Sequence, residues 1–146
     1  MTSENRLDEI DDYTEFIGAL YDEYKPQFAD NVRIHLLGFS QGAATQCRWI
    51  MKKLPDFDKL ILWAGVLPED IDYTPHTDYF KTKNIYFIYG TADPFVTTER
   101  VNALQNFAQK QQLSYKTFTF EGKHTVDRDF LKILTTEYLK KSSSQK

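Results

Sequence analysis

Ile34-His35-Leu36-Leu37-Gly38-Phe39-Ser40-Gln41-Gly42-Ala43-Ala44 runs from an apolar stretch, through a glycine–x–serine–x–glycine turn, into a run of helix formers. The order is that of a strand, a tight turn and a helix. A serine at such a junction sits in a strained backbone conformation, and a side chain two residues to either side would collide with the neighbouring elements. Glycine at 38 and 42 is read as removing those collisions, so that strand and helix close up. The Ser40 hydroxyl is then presented at the carboxyl end of the strand, above the first turn of the helix. That turn carries unpaired N–H groups and the positive end of the helix dipole, which suits a developing oxyanion. The pentapeptide alone is equally compatible with a purely structural junction. Its reading depends on a base and an acid elsewhere in the chain.

Outward from this junction the chain alternates. Before it, residues 4–25 carry Leu7, Ile10, Tyr13, Phe16, Ile17, Leu20, Tyr21 and Tyr24 at helical spacing, and Lys25-Pro26 stops the pattern. Residues 32–37 read as the strand leading to Ser40. Residues 41–54 read as the helix after it, with Ala43, Ala44, Cys47, Ile50 and Met51 inward. Residues 59–64 and 84–89 are two further buried strands, the latter rich in β-branched and aromatic residues. Between them, 65–83 lacks periodicity and is expected to be a long loop with one short helical turn, overhanging a site. A loop over 90–96 leads to a helix over 97–112 with Val101, Leu104, Phe107 and Ala108 inward, then a strand over 114–120. The turn Glu121-Gly122-Lys123-His124 precedes a closing helix over 126–140 with Phe130, Ile133, Leu134 and Tyr138 on one side. The tail 141–146 is expected to be polar and frayed. Strand–helix alternation with continuous apolar strands is the pattern of a parallel sheet of about four strands covered on both faces, in three αβα layers.

The 146 residues suffice for a single domain with its own core, expected over 1–146. A net charge of −3 and the lack of any basic cluster remove the electrostatic footprint of a nucleic-acid or anionic-membrane binder. The single cysteine, Cys47, excludes an intrachain disulfide and a cysteine-based zinc site. It lies about two turns from Ser40 along the helix and reads as a small buried hydrophobe. No apolar run approaches a membrane span, and the opening Met-Thr-Ser-Glu-Asn-Arg is no signal peptide, so a cytoplasmic location is expected.

Ligands of open parallel sheets bind beyond the carboxyl ends of the strands. Three chemically relevant residues fall there: Ser40 after the first strand, Asp93 after the third and His124 after the fourth. A serine hydroxyl needs an imidazole to take its proton during attack, and the imidazole needs a carboxylate to hold its tautomer. Gly122 is read as letting the loop swing His124 over the sheet edge, and Pro94 as stiffening the loop that bears Asp93. The competing assignments are ordinary ones. Asp93 before proline also suits a turn, and His124 also suits the surface. His35 lies inside a strand and is expected to pack or bond locally, and His76 has no placed partner. Asp127 and Asp129 are explained by the dipole of the last helix.

With these residues placed, the chain resembles the carboxylesterase/lysophospholipase group of α/β-hydrolases, which includes acyl-protein thioesterases. The matching pieces are Leu37-Gly38-Phe39-Ser40-Gln41-Gly42-Ala43, Tyr89-Gly90-Thr91-Ala92-Asp93-Pro94-Phe95-Val96 and Gly122-Lys123-His124. The resemblance implies Ser40 as nucleophile, Asp93 as acid, His124 as base and the N–H of Gln41 as an oxyanion donor, with no metal or organic cofactor. It implies a small-molecule ester or acyl substrate. Trp63 and Phe95, with the 65–83 loop, are candidates for lining the acyl pocket.

The likeness spans only the carboxyl-terminal part of that family's fold. Relatives begin with further strands and a His-Gly loop that supplies a second oxyanion donor, and nothing here corresponds to it. The elbow strand is therefore expected at a sheet edge, with its Val32, Ile34 and Leu36 side uncovered. Three explanations are open: an amino-terminally truncated chain, a minimal domain that dimerises through that edge, or a non-catalytic remnant. Truncation is the one favoured. A peptidase and a dienelactone-type enzyme are further alternatives, the latter disfavoured by serine at the elbow.

Overall fold

Apolar runs with no polar face to offer water become the inner strands of a sheet. In the computed structural model, which describes residues 3–139, β1 (His35–Phe39), β2 (Lys59–Trp63), β3 (Asn84–Gly90) and β4 (Lys116–Phe120) form a parallel four-stranded sheet in the order β1-β2-β3-β4. His35 stands opposite Lys59, Lys59 opposite Asn84 and Tyr86 opposite Lys116. Crossovers of one hand between successive neighbours must all pass over the same face. Accordingly α2 (Gln41–Lys53), α3 (Thr77–Lys81) and α4 (Thr98–Lys110) pack on one side, with α1 (Ser3–Tyr24) laid on α2. The last helix, α5 (Arg128–Ile133), follows β4 and covers the other side. The result is the three-layer αβα arrangement expected from the alternation.

Each face has its own core. Leu36, Leu60, Leu62, Ile85 and Phe87 meet Cys47, Ile50 and Leu104 on the first. Ile61, Trp63, Ile88 and Phe120 meet Leu134 on the second. The Cys47 thiol is buried, and burial pushes its pKa up to about 12, as befits a packing residue. Trp49, absent from the expected inner side of α2, is fully buried, with its ring centroid 5.3 Å from that of Tyr21 on α1. Among the described residues, no helix is long and apolar enough to cross a membrane.

Several boundaries differ from the sequence reading. The elbow strand starts at His35 rather than at residue 32, because β2 begins opposite it at Lys59; before that point the Ile34 carbonyl accepts from Asp58 N–H at 2.8 Å, while Val32 N–H turns back to the Ala29 carbonyl at 3.0 Å. β1 does lie at the sheet edge. Its apolar side is nevertheless covered: Leu36 is buried in the core and Ile34 packs against it, leaving Val32 exposed. The closing helix starts at Arg128, because the Asp127 carboxylate accepts the Phe130 N–H at 2.8 Å and caps it. It passes into a π turn over Leu134–Tyr138, which leaves Ile133 exposed rather than inward. Within 65–83, a 3₁₀ turn (Thr74–His76) leads into α3. Lys140 and the tail 141–146 lie outside the described residues, as do Met1 and Thr2.

Two polar groups on the β1–β2 side, one buried and one half-buried, give measurable consequences. Lys59 is fully buried, with Nζ 2.5 Å from Asp58 Oδ2. Asp58→Ala takes this carboxylate away from a buried ammonium, so it is expected to lower the stability read in urea unfolding. His35 is half-buried, and burial, followed by the nearby Lys59 charge, lowers its pKa from the usual value. The folded state thus disfavours the imidazolium that the unfolded chain accepts. The His35 contribution to stability is present above about pH 6.5 and is lost as pH falls toward the lower folded-state value. His35→Gln is expected to flatten stability against pH in that window, read by thermal melts between neutral and mildly acidic buffers.

Candidate active site

The turn from β1 to α2 places Ser40 as a non-glycine residue at φ 56°, ψ −120°, a conformation that costs about 1–3 kcal/mol. The surroundings hold it there. Ser40 N–H donates to the Trp63 carbonyl at the end of β2 at 2.8 Å, and the Ser40 carbonyl accepts from Ala43 N–H at 3.1 Å. A Cβ at Gly38 would overlap the Gly42 carbonyl and Ala43 Cα, so strand and helix close up only because residue 38 is glycine. Gly42 differs from the sequence reading: a Cβ there meets nothing within 4 Å. The sequence reading missed Gly65, where a Cβ would overlap the Ser40 carbonyl and Ala43 Cβ. Its position directly after an apolar strand was the available signal.

Asp93 and His124 arrive on the loops after β3 and β4, and these loops are bonded together. Thr91 N–H donates to the Phe120 carbonyl at 2.9 Å and Ala92 N–H to the Gly122 carbonyl at 2.8 Å. Gly90 is needed for this approach, since a Cβ there would overlap the Gly122 carbonyl. Gly122 does not act by a left-handed backbone, for no glycine has positive φ; a side chain there would press on the Phe120 ring.

The three side chains meet in a row. His124 Nε2 lies 3.1 Å from Ser40 Oγ, and His124 Nδ1 lies 2.7 Å from Asp93 Oδ2. The Asp93 side chain is fully buried, and its other oxygen accepts the Phe95 N–H at 2.8 Å. The imidazole stands between two aromatic rings, Phe39 at 4.9 Å and Phe95 at 4.8 Å between centroids. Gln41 opens α2, where helix geometry leaves the first N–H groups without internal acceptors. His35 and His76 lie outside this group.

Beside Ser40 and Gln41 opens a cavity of about 430 Å³ whose walls include Ala44, Leu67, Phe87, Val96, Leu104 and Phe107. Phe95 lines it, as does the stretch 65–67 of the long loop. Trp63 does not. Its side chain is fully buried on the opposite face of the sheet against Phe120 and Phe130, with Nε1 donating to the Thr125 carbonyl at 2.9 Å. An aromatic residue at a strand end serves core or pocket according to which face it takes, and Trp63 instead anchors the residue next to His124.

The family model described as Serine hydrolase (FSH1) matches residues 3–129. No curated protein matches the chain by sequence. Among solved structures, the chain is similar to Arabidopsis thaliana SOBER1, with TM-score 0.64 and 18% identity, over 86% of this chain and 60% of that one. It is similar to the Bacillus cereus carboxylesterase, with TM-score 0.64 and 17% identity, over 96% of this chain and 63% of that one. A phospholipase/carboxylesterase from Dyadobacter fermentans gives TM-score 0.57 and 19% identity, over 88% of this chain and 62% of the other. The chain thus has the α/β-hydrolase fold while spanning less than two thirds of the length of these structures.

Proposed function

Since the chain belongs to the FSH1 serine hydrolase family, we propose that it cleaves carboxylic esters or thioesters through an acyl-enzyme, with Ser40, His124 and Asp93 as its catalytic triad. The observation that carries this reading is the His124 ring, within hydrogen-bonding reach of the Ser40 hydroxyl on one side and the Asp93 carboxylate on the other. In the forward step Ser40 Oγ attacks the ester carbonyl as its proton passes to His124 Nε2, while Asp93 holds Nδ1 protonated and stabilises the imidazolium. The oxyanion forms over the start of α2 and accepts from the Gln41 N–H. His124 then returns the proton to the departing alcohol or thiol. Water, deprotonated by the same ring, releases the acid. Nothing in these steps calls on a metal or an organic cofactor. The apolar cavity beside Ser40 is the natural place for one arm of the substrate.

Labelling with a fluorophosphonate probe tests the proposal, with peptide mapping to Ser40 expected; labelling elsewhere, or none on folded protein, overturns it. A second reading has its own observation. The open edge of β1 and the exposed Phe16, Phe28 and Val32 favour a catalytically weak domain that binds a partner or a second copy of itself. Sedimentation of unlabelled but folded protein as a dimer would support that alternative.

A further inference from the structure

Two charged residues interrupt the apolar wall of the cavity: Glu69 from the connection between β2 and α3, and Arg100 from the first turns of α4. Arg100 is pinned at both ends. Its backbone N–H donates to Thr97 Oγ1 at 3.2 Å, and its Nη1 donates to the Phe95 carbonyl at 2.8 Å. Phe95 N–H in turn donates to Asp93 Oδ1, and Asp93 Oδ2 faces His124, which faces Ser40. A continuous hydrogen-bonded chain therefore sets the guanidinium in a defined place relative to the Ser40 hydroxyl. A guanidinium offers five N–H donors in a planar fork, so engagement by one carbonyl leaves donors for a ligand. Among the described residues no ion pair engages Arg100 or Glu69, although other charges are paired, as in Arg48–Asp70 and Lys52–Asp11.

Resting on the Ser40 reading above, we propose that Arg100 makes this site select esters that carry a carboxylate a few bonds from the scissile carbonyl. An otherwise apolar cavity accepts hydrocarbon without preference for charge. A fixed guanidinium adds a planar, two-pronged partner for a carboxylate. Glu69 repels the same anion and directs it to the α4 side of the cavity. Arg100 is solvent-facing, which keeps the effect to about tenfold rather than the thousandfold of a buried pair.

The test compares charged and neutral esters of matched shape. Mono-4-nitrophenyl glutarate against its terminal amide places the charge on the acyl side; 4-carboxyphenyl butanoate against 4-carbamoylphenyl butanoate places it on the alcohol side. In one of these pairs the wild type is expected to favour the anion. Arg100→Gln should lower the anionic-to-neutral ratio of kcat/KM by about tenfold, through the KM of the anionic ester, and any loss common to both esters cancels in that ratio. Arg100→Lys should retain part of the preference, and Glu69→Gln should raise it. A ratio unmoved by Arg100→Gln in both pairs overturns the proposal. Failure of the Ser40 reading is visible separately, as absent fluorophosphonate labelling and no turnover of either neutral ester. Binding then decides the matter without turnover. Ser40→Ala protein titrated with monomethyl glutarate by NMR should bind about tenfold more weakly when Arg100→Gln is added. Equal affinity, or no binding at all, overturns it.

Discussion

Ser40→Ala protein is expected to take up no fluorophosphonate at all and to lose ester turnover by about a thousandfold or more. The phosphonate reports only on whether the hydroxyl is activated, because attack at phosphorus needs the proton to leave Ser40 Oγ for His124 Nε2, which lies 3.1 Å away. Asp93→Asn is the more discriminating partner experiment. The Asp93 carboxylate accepts from His124 Nδ1 with one oxygen and from Phe95 N–H with the other, and its side chain is fully buried. An amide of the same shape offers one acceptor and one donor, so either the Phe95 contact or the imidazole tautomer is lost. Labelling and turnover should then fall by about 10³–10⁴-fold while the fold persists. Equal labelling rates for wild type and Asp93→Asn would remove the carboxylate from the mechanism.

The second large effect separates the two glycines of the elbow. Gly38→Ala drives a methyl group into the Gly42 carbonyl and Ala43 Cα, which are backbone atoms that move only if β1 and α2 part. The expected cost is about 3 kcal/mol or more in urea unfolding, with labelling lost as Ser40 leaves its strained conformation. Gly42→Ala places the same methyl group in open space within a helix, at a residue without positive φ. Alanine outranks glycine there by about 0.8–1 kcal/mol of helix propensity, so this variant should be as stable as the wild type or more so. Matching losses for the two variants would mean that the elbow is not closed by the contact at residue 38.

What the sequence conveyed follows the range of each interaction. The αβα alternation was readable because burial on both faces leaves a local mark, continuous apolar strands such as 59–64 between amphipathic helices. The positions of Ser40, Asp93 and His124 beyond three strand ends followed from chain order in a parallel sheet. Contacts between distant loops leave no such mark. A glycine directly after an apolar strand, as at 65, hints at a close approach, but nothing near residue 65 or 90 says that the atoms met would be those of Ser40 or Gly122. Trp63 was read as pocket because strand-end aromatics look alike in either orientation, and the one-residue alternation that turned it to the far face depends on register. The start of β1 was placed early because Val32 and Ile34 resemble strand residues, whereas pairing begins where the neighbouring strand begins. Arg100 went unremarked, since a charge early in a helix is ordinary until the Phe95 carbonyl is seen beside it.

The bonds from Thr91 to Phe120 and from Ala92 to Gly122 join the loops carrying the carboxylate and the imidazole, while the alcohol rides on a strand two places away. The Asp93 and His124 loops are therefore built to travel as one clasp, and the separation free to breathe is the one between ring and hydroxyl. In hydrogen–deuterium exchange this makes the Thr91 and Ala92 amides slow and matched to each other. Fraying at the outer strand would unseat the Ser40 hydroxyl well before it disturbed the clasp.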